Sequence, residues 1–388
     1  LCAGPVRMVC DPPNAVLRQV RVTGHELVRG VFGAVRDRNW GTVPPTVRDL
    51  RVEENADGFC VTFTAECKEG DIDFTWRGEI TGAADGTVRF VFDGAAGAAF
   101  LKNRIGLCVL HPVPECAGTP CVVEHTDGSV TEGAFPHFIS PHQPFKNIRS
   151  IRHEVLPGLS ATVRLTGETF EMEDQRNWTD ASFKTYSTPL EEPFPVRIEA
   201  GARVRHVVTI SFDGELPAEA NAGEEAAELC VAWGKPAPRP LVGLGMATHG
   251  VDASPTVLET LRGLRISHLR ADVNPANANW LEALREADDL AWTVDARLEL
   301  AVSFSADANG EMDALVSALG GLRAQPGSIL VYHAAEKVAS LAMMCQLREK
   351  LDAAGQFSPL AAGTNAYFAE LNRNRPHEDT PALVCYSI

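Results

Sequence analysis

The sequence predicts a multidomain fold: an N-terminal antiparallel β-sandwich followed by a (β/α)8 TIM-like barrel, truncated after about six strands. Three observations carry that expectation. Apolar and polar residues alternate with period two from about residue 14 to 212, a proline-rich stretch then interrupts the chain, and beyond it strand and helix signals alternate. At about 150 residues per domain, the 388 residues correspond to two or three domains. An apolar fraction of 45% is enough to give each a buried core.

Alternation is clear in Phe59-Cys60-Val61-Thr62-Phe63-Thr64, in residues 73–80, in Val88-Arg89-Phe90-Val91-Phe92 and in residues 204–212. Gly, Asp and Pro turns separate these stretches, as in antiparallel sheets with one buried face. An Ala/Glu-rich segment leads into Trp233-Gly234-Lys235-Pro236-Ala237-Pro238-Arg239-Pro240, whose prolines mark a stiff boundary. The domains are therefore expected at 1–232 and 233–388.

Strand signals then fall at Leu241–Gly245, Ile266–Arg270, Leu298–Val302, Ser328–Tyr332, Pro359–Gly363 and Leu383–Tyr386, with helices from Pro255, from Pro275 and near 335–354. Their spacing of about 23 to 31 residues suits a barrel of strand-helix repeats. A closed barrel needs eight strands, so six would leave two parallel edges bare. The first residue is Leu1, not Met, and residues 381–388 stop inside an apparent buried strand; the chain reads as a fragment. A doubly wound open sheet is the competing architecture.

The charge balance, 35 Lys and Arg against 51 Asp and Glu for a net −16, opposes binding to nucleic acid or anionic lipid. No apolar run reaches the length of a membrane span, and residues 1–5 lack the regions of a signal peptide. A soluble cytoplasmic protein is expected. The ten cysteines lie mostly in apolar runs and read as reduced core residues. Cys116 and Cys121 have no second pair at matching distance, so neither a zinc site nor any other metal is expected. There is no G-x-S-x-G, S-x-x-K, H-E-x-x-H or G-x-x-x-x-G-K motif. Gly243-Leu244-Gly245-Met246-Ala247-Thr248 lacks the third glycine of a dinucleotide loop, and no cofactor is expected.

Polar residues concentrate in Phe170–Tyr186. In extended backbone, Glu171 and Glu173 would share one face while Asp174, Arg176 and Trp178 share the other. Carboxylates, an arginine, the Asn177 amide and an indole suit a polyhydroxylated substrate; the alternative is a solvated loop with an Arg176–carboxylate bridge. A second cluster, Arg36-Asp37-Arg38-Asn39-Trp40-Gly41-Thr42-Val43-Pro44-Pro45, repeats the Arg-Asn-Trp triplet and reads equally as an arginine-braced loop. A third holds His111, His125, His137 and His142, with no defensible metal spacing. In the barrel half, candidates follow strand ends: His249; Arg270 and Asp272; Ser303 and Ser305; His333 and Glu336; Asn365, Tyr367, Glu370 and Asn372. Residues 364–376 form an unusually long, polar, aromatic connection.

Several of these stretches resemble the D-apionate lactonase family of bacterial sugar-acid catabolism. They are Arg29–Phe32 through Pro45, Ile139–Phe145, the Phe170–Tyr186 block and Gly363–Arg373. The resemblance implies an N-terminal β domain, a central barrel of glycoside-hydrolase shape and a C-terminal β domain, the last together with the end of the barrel lying outside this chain. It also implies a hydrolase that opens a sugar-acid lactone, D-apionolactone to D-apionate.

Lactone opening adds water to an ester carbonyl and calls for a base, an oxyanion donor and an acid for the departing alkoxide. The residues propose Glu173 or Asp174 as base and Arg176 or Lys184 as oxyanion donor. Glu171, Asn177, Trp178, Arg38, Trp40 and His142 would bind substrate, with Asn365, Tyr367 and Glu370 reaching from the barrel rim across a domain interface. The expected partner is a small polyhydroxylated lactone or sugar, with a homo-oligomer possible and neither nucleic acid nor membrane involved. One alternative is a glycoside hydrolase using Glu336 as acid. The other is a non-catalytic carbohydrate-binding protein.

Overall fold

The computed structural model describes residues 1–56, 58–216, 232, 234–305, 307–376 and 383–387. The chain divides into two compact units, Leu1–Glu228 and Leu229–Ile388. Trp233, where the second domain was expected to begin, lies outside the described residues.

The first unit is built of two sheets whose paired strands are antiparallel. One runs in the order Cys2–Ala3, Val6–Asp11, Val16–Val22, His25–Asp37, Phe100–Pro112, Ser182–Tyr186, Glu171–Asp174, with Val196–Ile198 also paired to Phe100–Pro112. The other has nine strands: Val130–Ala134, Pro120–His125, Ile148–Leu156, Leu159–Thr166, Arg203–Gly214, Val88–Ala96, Ile72–Gly82, Phe59–Glu69 and Thr46–Glu54. The alternating stretches read from the sequence all lie in these strands.

One apolar cluster draws on both sheets, joining Val31, Val35, Leu107 and Val109 to Phe63, Trp76, Phe90 and Phe92. Burying a side chain of this size stabilises the fold by about 1.5 to 3 kcal/mol, and the rings add specific geometry, with Trp76 stacked on Phe92 at 4.5 Å. Gly33 is required at this contact, since a Cβ there would lie 2.7 Å from Trp76. The outermost Thr46–Glu54 strand is exposed along almost its whole length. It carries Arg48, Asp49, Arg51, Glu53 and Glu54, and its register shifts between Arg48 and Arg51.

The second unit holds a parallel sheet in the order Gly243–Gly245, His268–Val273, Arg297–Phe304, Ser328–His333, Leu360–Tyr367, Leu383–Ser387. Each described strand pairs with the next in sequence. A doubly wound sheet reverses direction at a switch point, so the order matches a barrel instead. Helices Pro255–Leu264, Trp280–Thr293, Ala308–Leu319 and Leu341–Ala353 cover one face. Leu269, Leu300, Val302 and Val331 pack there against Leu284, Met312, Leu315 and Leu347. Ser254 and Ser340 cap two helices by accepting from Val257 N and Met343 N, satisfying otherwise unpaired donors.

Two local expectations change. The helix expected from Pro275 begins at Trp280, because the Asn274 side chain accepts from Ala276 N at 2.9 Å and turns the chain first. The long connection expected at 364–376 is the end of strand Leu360–Tyr367 followed by a short helix, Phe368–Arg373. Among the described residues no helix is long and apolar enough to cross a membrane.

Candidate active site on the sheet face

The Glu171–Asp174 and Ser182–Tyr186 strands pair antiparallel, with Glu171 opposite Tyr186, Glu173 opposite Lys184 and Asp174 opposite Phe183. Alternation sends Met172 and Phe183 into the core and Glu171, Glu173, Lys184 and Tyr186 to the opposite face. Glu173 is 3.1 Å from the Lys184 ammonium, and the two side chains are 18% and 21% exposed. It also accepts from Gln175 Nε2 and Trp178 Nε1, each at 2.8 Å. The indole is 43% exposed, and Lys184 Nζ lies 5.2 Å from the centre of the Tyr186 ring.

Asp174 and Arg176 stand differently. The Asp174 side chain is 0% exposed and accepts from Arg176 Nε, Nη2 and backbone N and from Ser140 N. Arg176 spends its other donors on the carbonyls of Pro136, His137 and Phe138 and lies 4.8 Å from the Phe183 ring. Asn177 donates to the carbonyls of Ser140 and Asp174. The three fasten residues 136–140 to the hairpin. The expectation that Trp178 shares the face of Asp174 and Arg176 is overturned: the chain leaves extended geometry for a 3-10 helix, Gln175–Trp178, and the indole swings over Glu173.

Glu171 is buried and accepts from the Tyr186 hydroxyl at 2.5 Å and from Leu190 N at 2.7 Å. Burial first, and the Glu171 carboxylate second, push the Tyr186 hydroxyl far above its ordinary pKa, so it stays a neutral donor. Arg104 donates to the carbonyls of Asn103 and Pro189, holding the segment after Tyr186 against the sheet. Trp40 lies there too, 5.0 Å from Phe194 and 5.5 Å from the Arg104 guanidinium. Arg36, opposite Arg104 in the register, also approaches Trp40, at 5.9 Å.

Arg38 instead pairs with Asp71 at 2.9 Å, and His142 is exposed. Arg104 and Phe194 are not legible in the sequence, because their contacts join segments about 85 to 150 residues apart in the chain.

Two histidines lie in the core nearby. His111 bonds Thr185 Oγ1 at 2.9 Å and His153 bonds Cys116 Sγ at 3.4 Å, with the Phe135 ring beside both. Burial lowers the His111 pKa to about 3, helped by His153, and lowers that of His153 to about 4. Among the described residues no three His, Cys, Asp or Glu side chains are grouped to hold a metal ion.

The barrel candidates belong to the second unit. Glu336 is exposed, and its backbone N–H donates to His333 Nδ1 at 3.1 Å. Asn365 and Tyr367 are exposed near the carboxyl end of their strand. Glu370, in the short helix, pairs with Arg373 at 2.9 Å.

Comparison with known proteins gives matches over both units. Residues 1–215 match the D-apionate lactonase N-terminal domain, and residues 242–388 match the D-apionate lactonase TIM barrel domain. A D-apionate lactonase of Brucella anthropi is 33% identical over 375 residues, which are 94% of this chain and 62% of that protein. The chain thus spans under two thirds of the length of this curated relative. Among solved structures, Slr1438 of Synechocystis sp. PCC 6803 aligns over 55% of this chain and 93% of its own at 9% identity and TM-score 0.37. A beta-arabinopyranosidase aligns over 96% of this chain and 68% of its own at 9% identity and TM-score 0.36. With both units matched by its domains, the chain belongs to the D-apionate lactonase family.

Proposed function

We propose that this protein opens a sugar-acid lactone, D-apionolactone to D-apionate, and that the face of the Glu171–Tyr186 hairpin bearing Glu173 and Lys184 carries the chemistry. The two sheets of the first unit are read as a β-sandwich whose outer face presents the site. In this reading the Glu173 carboxylate deprotonates the attacking water, and the Lys184 ammonium stabilises the oxyanion that forms on the carbonyl oxygen. When the tetrahedral intermediate collapses, its C–O bond to the ring oxygen breaks and the proton taken by Glu173 passes to the departing alkoxide. Trp178 offers the sugar a flat apolar plate and holds Glu173 by its N–H.

The single observation behind this reading is the partly exposed Glu173–Lys184 pair beside an exposed indole. Asp174 and Arg176, considered for the same roles from the sequence, act here as a buried brace, with their hydrogen-bonding capacity directed to each other and to the 136–140 backbone. Glu171 with Tyr186 and Trp40 with Arg104 shape the wall of the site.

The test is the lactone-opening rate of Glu173→Gln, followed by the acid released. A general base contributes about 10²- to 10⁴-fold, so kcat falls by that order. Turnover equal to the parent's would remove Glu173 from the chemistry.

A further inference from the structure

The barrel unit carries a second polar constellation, on the strand face turned away from the helices. TIM-barrel interiors are ordinarily filled by layers of branched apolar side chains. Here the apolar residues clustered on that face are Ala301, Leu330, Tyr332 and Ala361, and among them sits an arginine. Arg270 donates to Asp272 at 2.9 Å, two residues along the same strand, with the side chains 33% and 71% exposed. Its guanidinium lies 5.9 Å from the centre of the Tyr332 ring, although the whole Arg297–Phe304 strand separates the two.

That reach is possible because Ala301 occupies the intervening position, paired with Asp272 on one side and Leu330 on the other. The Tyr332 hydroxyl in turn lies 3.5 Å from Cys385 Sγ, again with a strand between them. Gly363, opposite Cys385, leaves room for the thiol, since a Cβ on it would lie 2.8 Å from Cys385 Sγ. Small residues thus form a floor beneath a line of polar groups running from Arg270 to Cys385.

A partly buried guanidinium costs desolvation unless its donors are used. Arg270 has five N–H donors, and Asp272 is the carboxylate with which it forms an ion pair. Such a fork matches the two oxygens of a carboxylate. The site lies toward the carboxyl ends of the strands, the end at which barrel active sites are built.

We propose that Arg270, steadied by Asp272 and Tyr332, binds the carboxylate of a small polyhydroxylated acid in the barrel. The ligand class rests on the lactone reading, because lactone opening yields such an acid. Tyr332 is the flat wall and a neutral hydroxyl donor; burial, then Cys385, raises its pKa.

The probe is sodium D-apionate, titrated calorimetrically into the full chain, with xylitol as the uncharged control. Arg270→Met is expected to weaken apionate binding about 10- to 100-fold, the scale of hydrogen bonds to a charged group, and to leave xylitol unaffected. Arg270→Lys keeps the charge without the fork and should fall between; it also serves if the methionine variant melts early. Equal affinity in parent and variants, or no apionate binding by the parent, would overturn the proposal. So would loss of binding in Lys184→Met with Arg270→Met unchanged, since that places the acid on the sheet face. If Glu173→Gln abolishes turnover while apionate ignores Arg270, only this inference fails. If Glu173→Gln turns over normally while Arg270→Met loses apionate, the sheet-face mechanism fails and this site stands.

Discussion

Lys184 is the direct cross-strand partner of Glu173, and their charged groups lie 3.1 Å apart. In the proposed mechanism these are the base and the oxyanion donor, and a pair of adjacent strands keeps their spacing without help from a loop. The two functions should therefore be coupled when they are removed one at a time.

Glu173→Gln, Lys184→Met and the double variant form a cycle that measures this coupling. Groups that act as a unit give non-additive losses. Each single variant is expected to lose about 10²-fold or more in kcat, with the double variant little worse than the poorer single. Losses that multiply in full would show that the residues act independently.

In the proposed mechanism Trp178 serves binding more than the chemical step. Trp178→Phe retains a ring but loses the N–H donated to Glu173, whereas Trp178→Ala loses both. The alanine variant should raise KM about tenfold, in line with the worth of an aromatic contact, and the phenylalanine variant by less. A fall in kcat with KM unchanged in Trp178→Ala would contradict the role of stacking plate.

Asp174 and Arg176 are expected to matter for stability. Removing one partner of a buried ion pair costs about 3 to 5 kcal/mol, so Arg176→Met should lower the urea midpoint of the first unit's transition markedly. The variant's remaining folded fraction should open lactone at close to the parent rate per molecule. A stable but inactive Arg176→Met would place that arginine in the reaction.

Acid should loosen the first unit through His111 and His153. Their folded pKa values, about 3 and about 4, lie below the ordinary 6.5, so the unfolded chain binds more protons between those limits. The stability from keeping both imidazoles neutral is complete above pH 6.5 and drains away as pH falls toward 4, by about 1.4 kcal/mol per pH unit for each imidazole. Urea melts at pH 7.5 and pH 5.0 should show the loss, and His153→Leu should shrink it. A pH-independent midpoint across that range would refute the assignment.

Much of this architecture is legible in the residue pattern because it depends on local periodicity. Period-two stretches such as Val88–Phe92 had to be strands with one buried face, and evenly spaced strands beyond residue 240 had to wind as strand-helix repeats. The 171–186 block was visible by its density of polar and aromatic residues. Its internal geometry was not: four residues of 3-10 helix suffice to carry Trp178 from the expected face to the other. Nor could spacing reveal Arg104 under Trp40, or Arg270 reaching Tyr332 across a strand. Those contacts are set by sheet order and by what small residues leave open, and neither quantity is written in any single segment.

The exposed outermost strand, Thr46–Glu54, has a consequence for handling the protein at high concentration. A second molecule seeking to extend the sheet there would have to strip water from Arg48, Arg51, Glu53 and Glu54 together and follow a kink between Arg48 and Arg51. Charge and irregularity of this kind discourage edge-to-edge fibre growth, so the border of the larger sheet is guarded by its own side chains.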